Sequence, residues 1–125
     1  MTFALWTILA VGVLPYICAG AAKFGGGGYD NAAPRTSLEQ LDGWRQRADW
    51  AQRNHFEALP LFAAAVLTAH WVRAPQGMVD VLAGGFLLTR IGFSVAYIAG
   101  WASLRSLMWL VGFVCVVLLF CAGLR

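Results

Sequence analysis

Residues 47–62 read RADWAQRNHFEALPLF. They crowd Arg47, Asp49, Arg53, Asn54, His55 and Glu57 against Pro60 and an apolar run. Two further polar groups follow: Arg90, Ser94 and Tyr97 at helical spacing, and the neighbours Arg105 and Ser106. These residue types suit binding of an anion, a carboxylate or a thiolate. Arginines bind carboxylates through paired donors. A cation beside a thiol favours the thiolate, its reactive form. Arg105 opens an apolar helix, where the helix dipole is already positive, so a thiolate or carboxylate is favoured there. Plainer roles compete. Arg53 and Glu57, four residues apart, suit a surface pair of little energetic worth. Arg105 also suits a basic anchor at a membrane surface, and a Glu57–Arg90 pair can serve only to orient two helices.

The elements that position these residues follow from composition. The chain is 60% hydrophobic and 12% charged. A soluble domain carries about 25% charged residues, so the membrane class fits and one domain over 1–125 is expected. The net charge of +3 comes without a run of Lys or Arg, which leaves no electrostatic footprint for nucleic acid. Cys18, Cys115 and Cys121 lie in apolar segments without metal-ligand spacing. They read as buried free thiols, and no metal is expected. Residues 2–22 have no charge and no basic leader, so they read as a retained span rather than a cleaved signal.

Four spans are expected, at about 2–22, 53–73, 79–100 and 104–124, in an all-α antiparallel bundle with short turns at 74–77 and 100–103. The second span is the informative one. Only residues 58–72 lack charge, which covers roughly 22 Å of the roughly 30 Å required. Asn54 and Glu57 are therefore drawn into the bilayer zone, unless the bilayer thins around a short span. Arg90 sits mid-span, where insertion costs about 2.5–3.5 kcal/mol, so it needs an internal partner. Glu57 is the only carboxylate at comparable depth. His55 reads as solvated among its charged neighbours. Residues 23–37 form the one long loop, Gly25–Gly28 being a flexible hinge rather than a phosphate loop. Ser37 with Gln40 reads as the cap of a helix running from about 38 to 73. Lys23, Arg35, Arg45, Arg47, Arg53 and Arg105 fall on one side, against Arg73 and Arg125 on the other. The first side is expected to be cytoplasmic. In a bacterial inner membrane both termini then lie in the periplasm.

Taken together, Arg47…Asn54-x-x-Glu57-x-x-Pro60-Leu61-Phe62, Arg90…Tyr97 and Arg105-Ser106 resemble the MAPEG family of membrane-associated proteins in eicosanoid and glutathione metabolism. The resemblance covers nearly the whole chain. It implies a four-helix subunit in a homotrimer, with glutathione bound between subunits near the cytoplasmic side. It implies that Arg47, Arg53, Asn54, Glu57, Arg90, Tyr97 and Ser106 contact glutathione, and that Arg105 is the catalytic residue that stabilises its thiolate. The activity implied is that of a transferase or peroxidase acting on lipophilic small molecules drawn from the lipid. Trp50 stands where several members have arginine, and Phe93 where some carry a polar ring. The alternative is a non-catalytic membrane trimer that binds lipid or organises partners, in which the same polar residues only hold helices together.

Overall fold

A computed structural model describes residues 1–124. The described residues form five helices: α1 (Phe3–Phe24), α2 (Pro34–Glu39), α3 (Gly43–Trp71), α4 (Gln76–Ala99) and α5 (Ala102–Cys121). Helices α1, α4 and α5 are each long and apolar enough to cross a membrane. The longest helix, α3, has 29 residues, with its charges in the N-terminal half and an uncharged stretch from Ala58 onward.

Side-chain contacts give the helix directions. Thr2, ahead of α1, meets His70 near the end of α3 (Oγ1–Nε2 2.8 Å). Arg45 in the first turn of α3 reaches Ala22 and Lys23 near the end of α1, so α1 and α3 run antiparallel. The Ala4 amide donates to Asp80 (2.9 Å), which brings the starts of α1 and α4 together. Gly85 faces Cys115 and Gly92 faces Met108, so α4 and α5 are antiparallel. The four long helices thus alternate in direction.

Small residues let them approach. Ala4, Ala65, Ala69, Ala83 and Val11 are fully buried around Phe62, whose ring stacks on Phe86 at 4.0 Å between centroids. Helix ends are satisfied locally. Thr2 Oγ1 accepts from the Leu5 amide (3.3 Å) as an N-cap. Gly100 takes a left-handed φ of 80° at the end of α4, where a side chain would be strained.

Two expectations are corrected here. The helix read from about 38 to 73 is two helices. Pro34 starts the short α2, and Gly43 adopts φ 56° where α3 begins, a left-handed conformation that cannot continue a right-handed helix. Ser37 lies inside α2 and does not cap α3. Its hydroxyl accepts from the Asp30 amide (3.0 Å) and donates to the Asp30 carbonyl (3.2 Å), pinning the preceding loop. The cysteines are free, but only Cys18 is buried; Cys115 is half-buried and Cys121 exposed. Cys115 packs beside Gly85 at the α4–α5 contact, and Cys121 lies at the end of α5 beyond it.

Candidate functional site

The buried stripe of α3 is Ala48, Ala51, His55, Phe62, Ala65 and Ala69, the three-, four- and seven-residue spacing of one helical face. Asn54 and Glu57 occupy the neighbouring edge. Opposite them on α4, Arg90 is 2% exposed. Its Nε donates to His55 Nδ1 at 3.1 Å, and its Nη2 reaches Asn54 Oδ1 at 2.9 Å and His55 Nδ1 at 2.9 Å. His55 Nε2 lies 2.6 Å from Ser94 Oγ, and that hydroxyl donates to the Arg90 carbonyl at 3.0 Å. An arginine has no acceptor, so His55 Nδ1 accepts and the ring proton sits on Nε2, donating to Ser94. The circuit closes from guanidinium to imidazole to hydroxyl and back to the Arg90 backbone. Phe93 covers it, with Arg90 Cζ 4.1 Å from the ring centroid.

Three further sequence expectations change. Arg90 is held by Asn54 and His55, two neutral acceptors, and not by Glu57. Helix rotation explains this: Glu57 falls two residues beyond His55, on an exposed edge. His55 is fully buried rather than solvated, because it belongs to the alanine stripe. Arg53 pairs with Asp49 (Nη2–Oδ2 3.0 Å) rather than with Glu57. Asp49 is the buried partner and Arg53 the exposed one, so the pair screens a carboxylate that faces inward.

Arg105 lies in the first turn of α5 with its Cζ 4.8 Å above the Tyr97 ring, a cation–π arrangement that orients the guanidinium without neutralising it. Tyr97 is itself flanked by Phe93 (5.4 Å between centroids) and Trp50 (6.5 Å). A cavity of about 300 Å³ opens there, lined by Asn54, Phe93, Tyr97, Arg105, Ser106 and Trp109. A second, of about 230 Å³, is lined by Asn54, Glu57, Ala58, Leu61, Phe86, Arg90, Trp109, Phe113 and Val116. Asn54 and Trp109 belong to both, so the two adjoin as one groove along α3, α4 and α5. Its outer wall is the parallel stack of Trp109 on Phe113 (5.4 Å, 3°). One chamber is polar and cationic, the other mainly apolar.

A family model described as the MAPEG family matches residues 3–125. The chain belongs to the MAPEG family. Neither the curated proteins nor the solved structures yield a match. Family and apolar helices together make it an integral membrane protein.

In this MAPEG chain, six of the eight residues singled out from sequence line the groove: Asn54, Glu57, Arg90, Tyr97, Arg105 and Ser106. Arg47 and Arg53 do not. Arg47 Nε donates to the Ile98 carbonyl at 3.0 Å, capping the C-terminus of α4, where a cation suits the dipole. Arg45 does the same for α1, donating to the carbonyls of Ala22 (2.9 Å), Lys23 (3.0 Å) and Gly27 (2.7 Å). The sequence reading passes over His55, which holds Arg90, and Trp109, which lines both chambers. For His55 the signal was present in its spacing from Ala48, Ala51 and Phe62. For Trp109 the signal was its spacing from Arg105 and Phe113, four residues either way along one helix face. Among the described residues, no three His, Cys, Asp or Glu side chains form a metal-binding group.

Proposed function

We propose that this MAPEG protein is a glutathione-dependent transferase or peroxidase acting on lipophilic electrophiles, built as a four-span antiparallel bundle and working as a homotrimer. The observation that carries the reading is the pair of guanidinium groups, Arg90 and Arg105, on one groove without a carboxylate partner. Among the described residues the only ion pair is Arg53–Asp49. Two uncompensated cations beside a bilayer call for an anionic ligand, and glutathione offers two carboxylates, one ammonium and a thiol. Glu57, exposed on the same groove and free of an ion pair among the described residues, suits the ammonium. Asn54 stands between the chambers. When bound, glutathione supplies a thiol that reacts as its thiolate. Arg105 holds that negative charge with help from the α5 dipole, and Ser106 beside it donates a hydrogen bond. Trp109 and Phe113 present an apolar wall to the lipophilic partner.

The test is titration of the detergent-purified protein with glutathione. Binding to the folded state raises its stability by about 2.7 kcal/mol at a hundredfold excess over Kd, and a saturable rise in the unfolding midpoint is expected. Arg105→Ala should lower turnover about 10²–10³-fold, the loss seen when one preorganised charge stabiliser is removed. Full turnover and unaltered thiolate absorbance in Arg105→Ala would overturn the assigned role. One observation favours the second reading, a non-catalytic trimer that binds lipid or organises partners: the Arg90–His55–Ser94 circuit ties α3 to α4, as a purely helix-holding network would. Absence of saturable stabilisation at millimolar glutathione would select it.

A further inference from the structure

The Arg90 circuit has one property that helix cohesion alone does not require. A guanidinium buried in an apolar helix pair is most simply held by a carboxylate, yet every side chain that holds Arg90 is neutral. His55 Nδ1 takes both Nε and Nη2, and Asn54 takes Nη2 as well. Among the described residues Nη1 has no acceptor, and Arg90 lines the 230 Å³ chamber beside Asn54 and Trp109. Ser94 fixes the imidazole with its proton on Nε2, which leaves Nδ1 as a lone pair aimed at the arginine. A neutral acceptor anchors the guanidinium while leaving its charge intact; a carboxylate at the same place would anchor it equally and cancel the charge.

We infer that His55 is the positioning residue of this groove: it holds Arg90 in place by a neutral acceptor, so that the full positive charge of Arg90 stays available to an anionic group of the ligand in the adjoining chamber. The inference rests on the glutathione reading for the identity of that ligand, and on geometry alone for the role of His55. Ser94 acts one step further out, by setting the tautomer. Asn54 alone does not suffice as a holder, because its single carbonyl oxygen meets only Nη2 and leaves the guanidinium free to rotate about that bond.

Two substitutions of the same shape separate holding from charge. Asn places a neutral carbonyl oxygen close to where His55 Nδ1 stands; Asp places a charged one there. The experiment measures glutathione affinity by calorimetry, and unfolding midpoint, for wild type, His55→Ala, His55→Asn and His55→Asp. His55→Ala is expected to weaken binding about tenfold or more, the loss of a charge-assisted hydrogen bond from the displaced arginine. His55→Asn restores most of it. His55→Asp unfolds no earlier than His55→Asn, since Arg90 is held, yet binds as weakly as His55→Ala. If His55→Asp binds as well as His55→Asn, the charge of Arg90 is not what the ligand reads and the inference falls. A merely structural histidine would move the unfolding midpoint of all three variants and leave the Asn–Asp contrast in affinity flat.

A second readout is independent of glutathione and of variant folding. The imidazole nitrogens of ¹⁵N-histidine-labelled wild type should show His55 protonated at Nε2 and bare at Nδ1 at neutral pH. A proton on Nδ1 overturns the inference whatever the ligand. Failure of wild type to bind glutathione, with the tautomer as expected, removes the glutathione reading and leaves the holding role of His55 standing.

Discussion

Replacing Gly112 by alanine tests a close approach of α5 to α4, two of the three helices that line the groove. A Cβ built at Gly112 lies 2.8 Å from Thr89 Oγ1 and 3.5 and 3.6 Å from Phe86 ring atoms. Ordinary contact begins near 3.4 Å, so something must yield by about 0.6 Å. Neither neighbour is free to do so. Thr89 Oγ1 donates to the Phe86 carbonyl at 2.7 Å, and Phe86 is stacked on the fully buried Phe62. Overpacking of this kind costs about 1–3 kcal/mol. Turning Thr89 away instead forfeits its hydrogen bond, about 0.5–1.5 kcal/mol. Against that, alanine gains about 1 kcal/mol of helix propensity over glycine. Gly92 supplies the control that removes this gain. It also lies on the α4–α5 contact, and its Cβ would lie 2.9 Å from Met108 Sδ, but a methionine end is flexible and swings aside. Gly112→Ala should therefore unfold about 1–2 kcal/mol more easily than Gly92→Ala, in chemical denaturation followed by tryptophan fluorescence in one fixed detergent. Thr89→Ala placed on top of Gly112→Ala should recover about 1 kcal/mol relative to the sum of the single changes. Equal stability of the two glycine variants, or a double variant that is simply additive, would refute the packing argument.

Asp80 accepts from the Ala4 amide at the start of α1 and from Gln76 Nε2. Asp80→Ala should cost about 0.5–2 kcal/mol, as loss of a helix cap does, and hydrogen exchange should rise in the first turn of α1 and not in α5. Arg45→Ala removes three bonds to the carbonyls of Ala22, Lys23 and Gly27. Limited proteolysis should then cut faster between Phe24 and Tyr29, and Arg45→Lys should not restore protection, because an ammonium cannot span the fork.

Helix content and the two tight turns are legible because apolar length and Gly/Pro punctuation are properties of the chain itself, whereas the first loop is shorter than the 23–37 expected, since Pro34–Glu39 is helical. The groove was legible in part: Asn54, Glu57, Arg90, Tyr97, Arg105 and Ser106 do line it. What failed was rotation. Successive residues on a helix turn by about 100°, and the buried face runs through Ala48, Ala51 and His55, one step round from the polar row of Arg47, Asn54 and Glu57. Small alanines carry a weak hydrophobic signal, so the buried stripe was hidden beneath a polar row. For a buried Arg90 charge balance is the only criterion a sequence offers, and it points to a carboxylate; an imidazole and an amide satisfy the donors equally well. The break before Gly43 depends on a left-handed backbone that composition alone does not announce.

The structure sorts the arginines by what each one neutralises. Arg45 and Arg47, two residues apart and so on opposite sides of the start of α3, are spent on the C-terminal carbonyls of α1 and α4. Those carbonyls are the negative ends of two helix dipoles, so the cations complete the fold and have little field left for a ligand. Arg53 is spent on Asp49. Arg90 and Arg105 differ in kind. Each touches an aromatic face and neutral groups only: Phe93, His55 and Asn54 for the first, Tyr97 for the second. Cation–π and neutral hydrogen-bond contacts fix direction without cancelling charge. In a medium as poorly screening as the interior of a membrane protein, such a charge reaches further than it does in water. Arg90 and Arg105 both line the groove with their charge uncancelled by a carboxylate, and that placement is the ground for proposing an anionic ligand there.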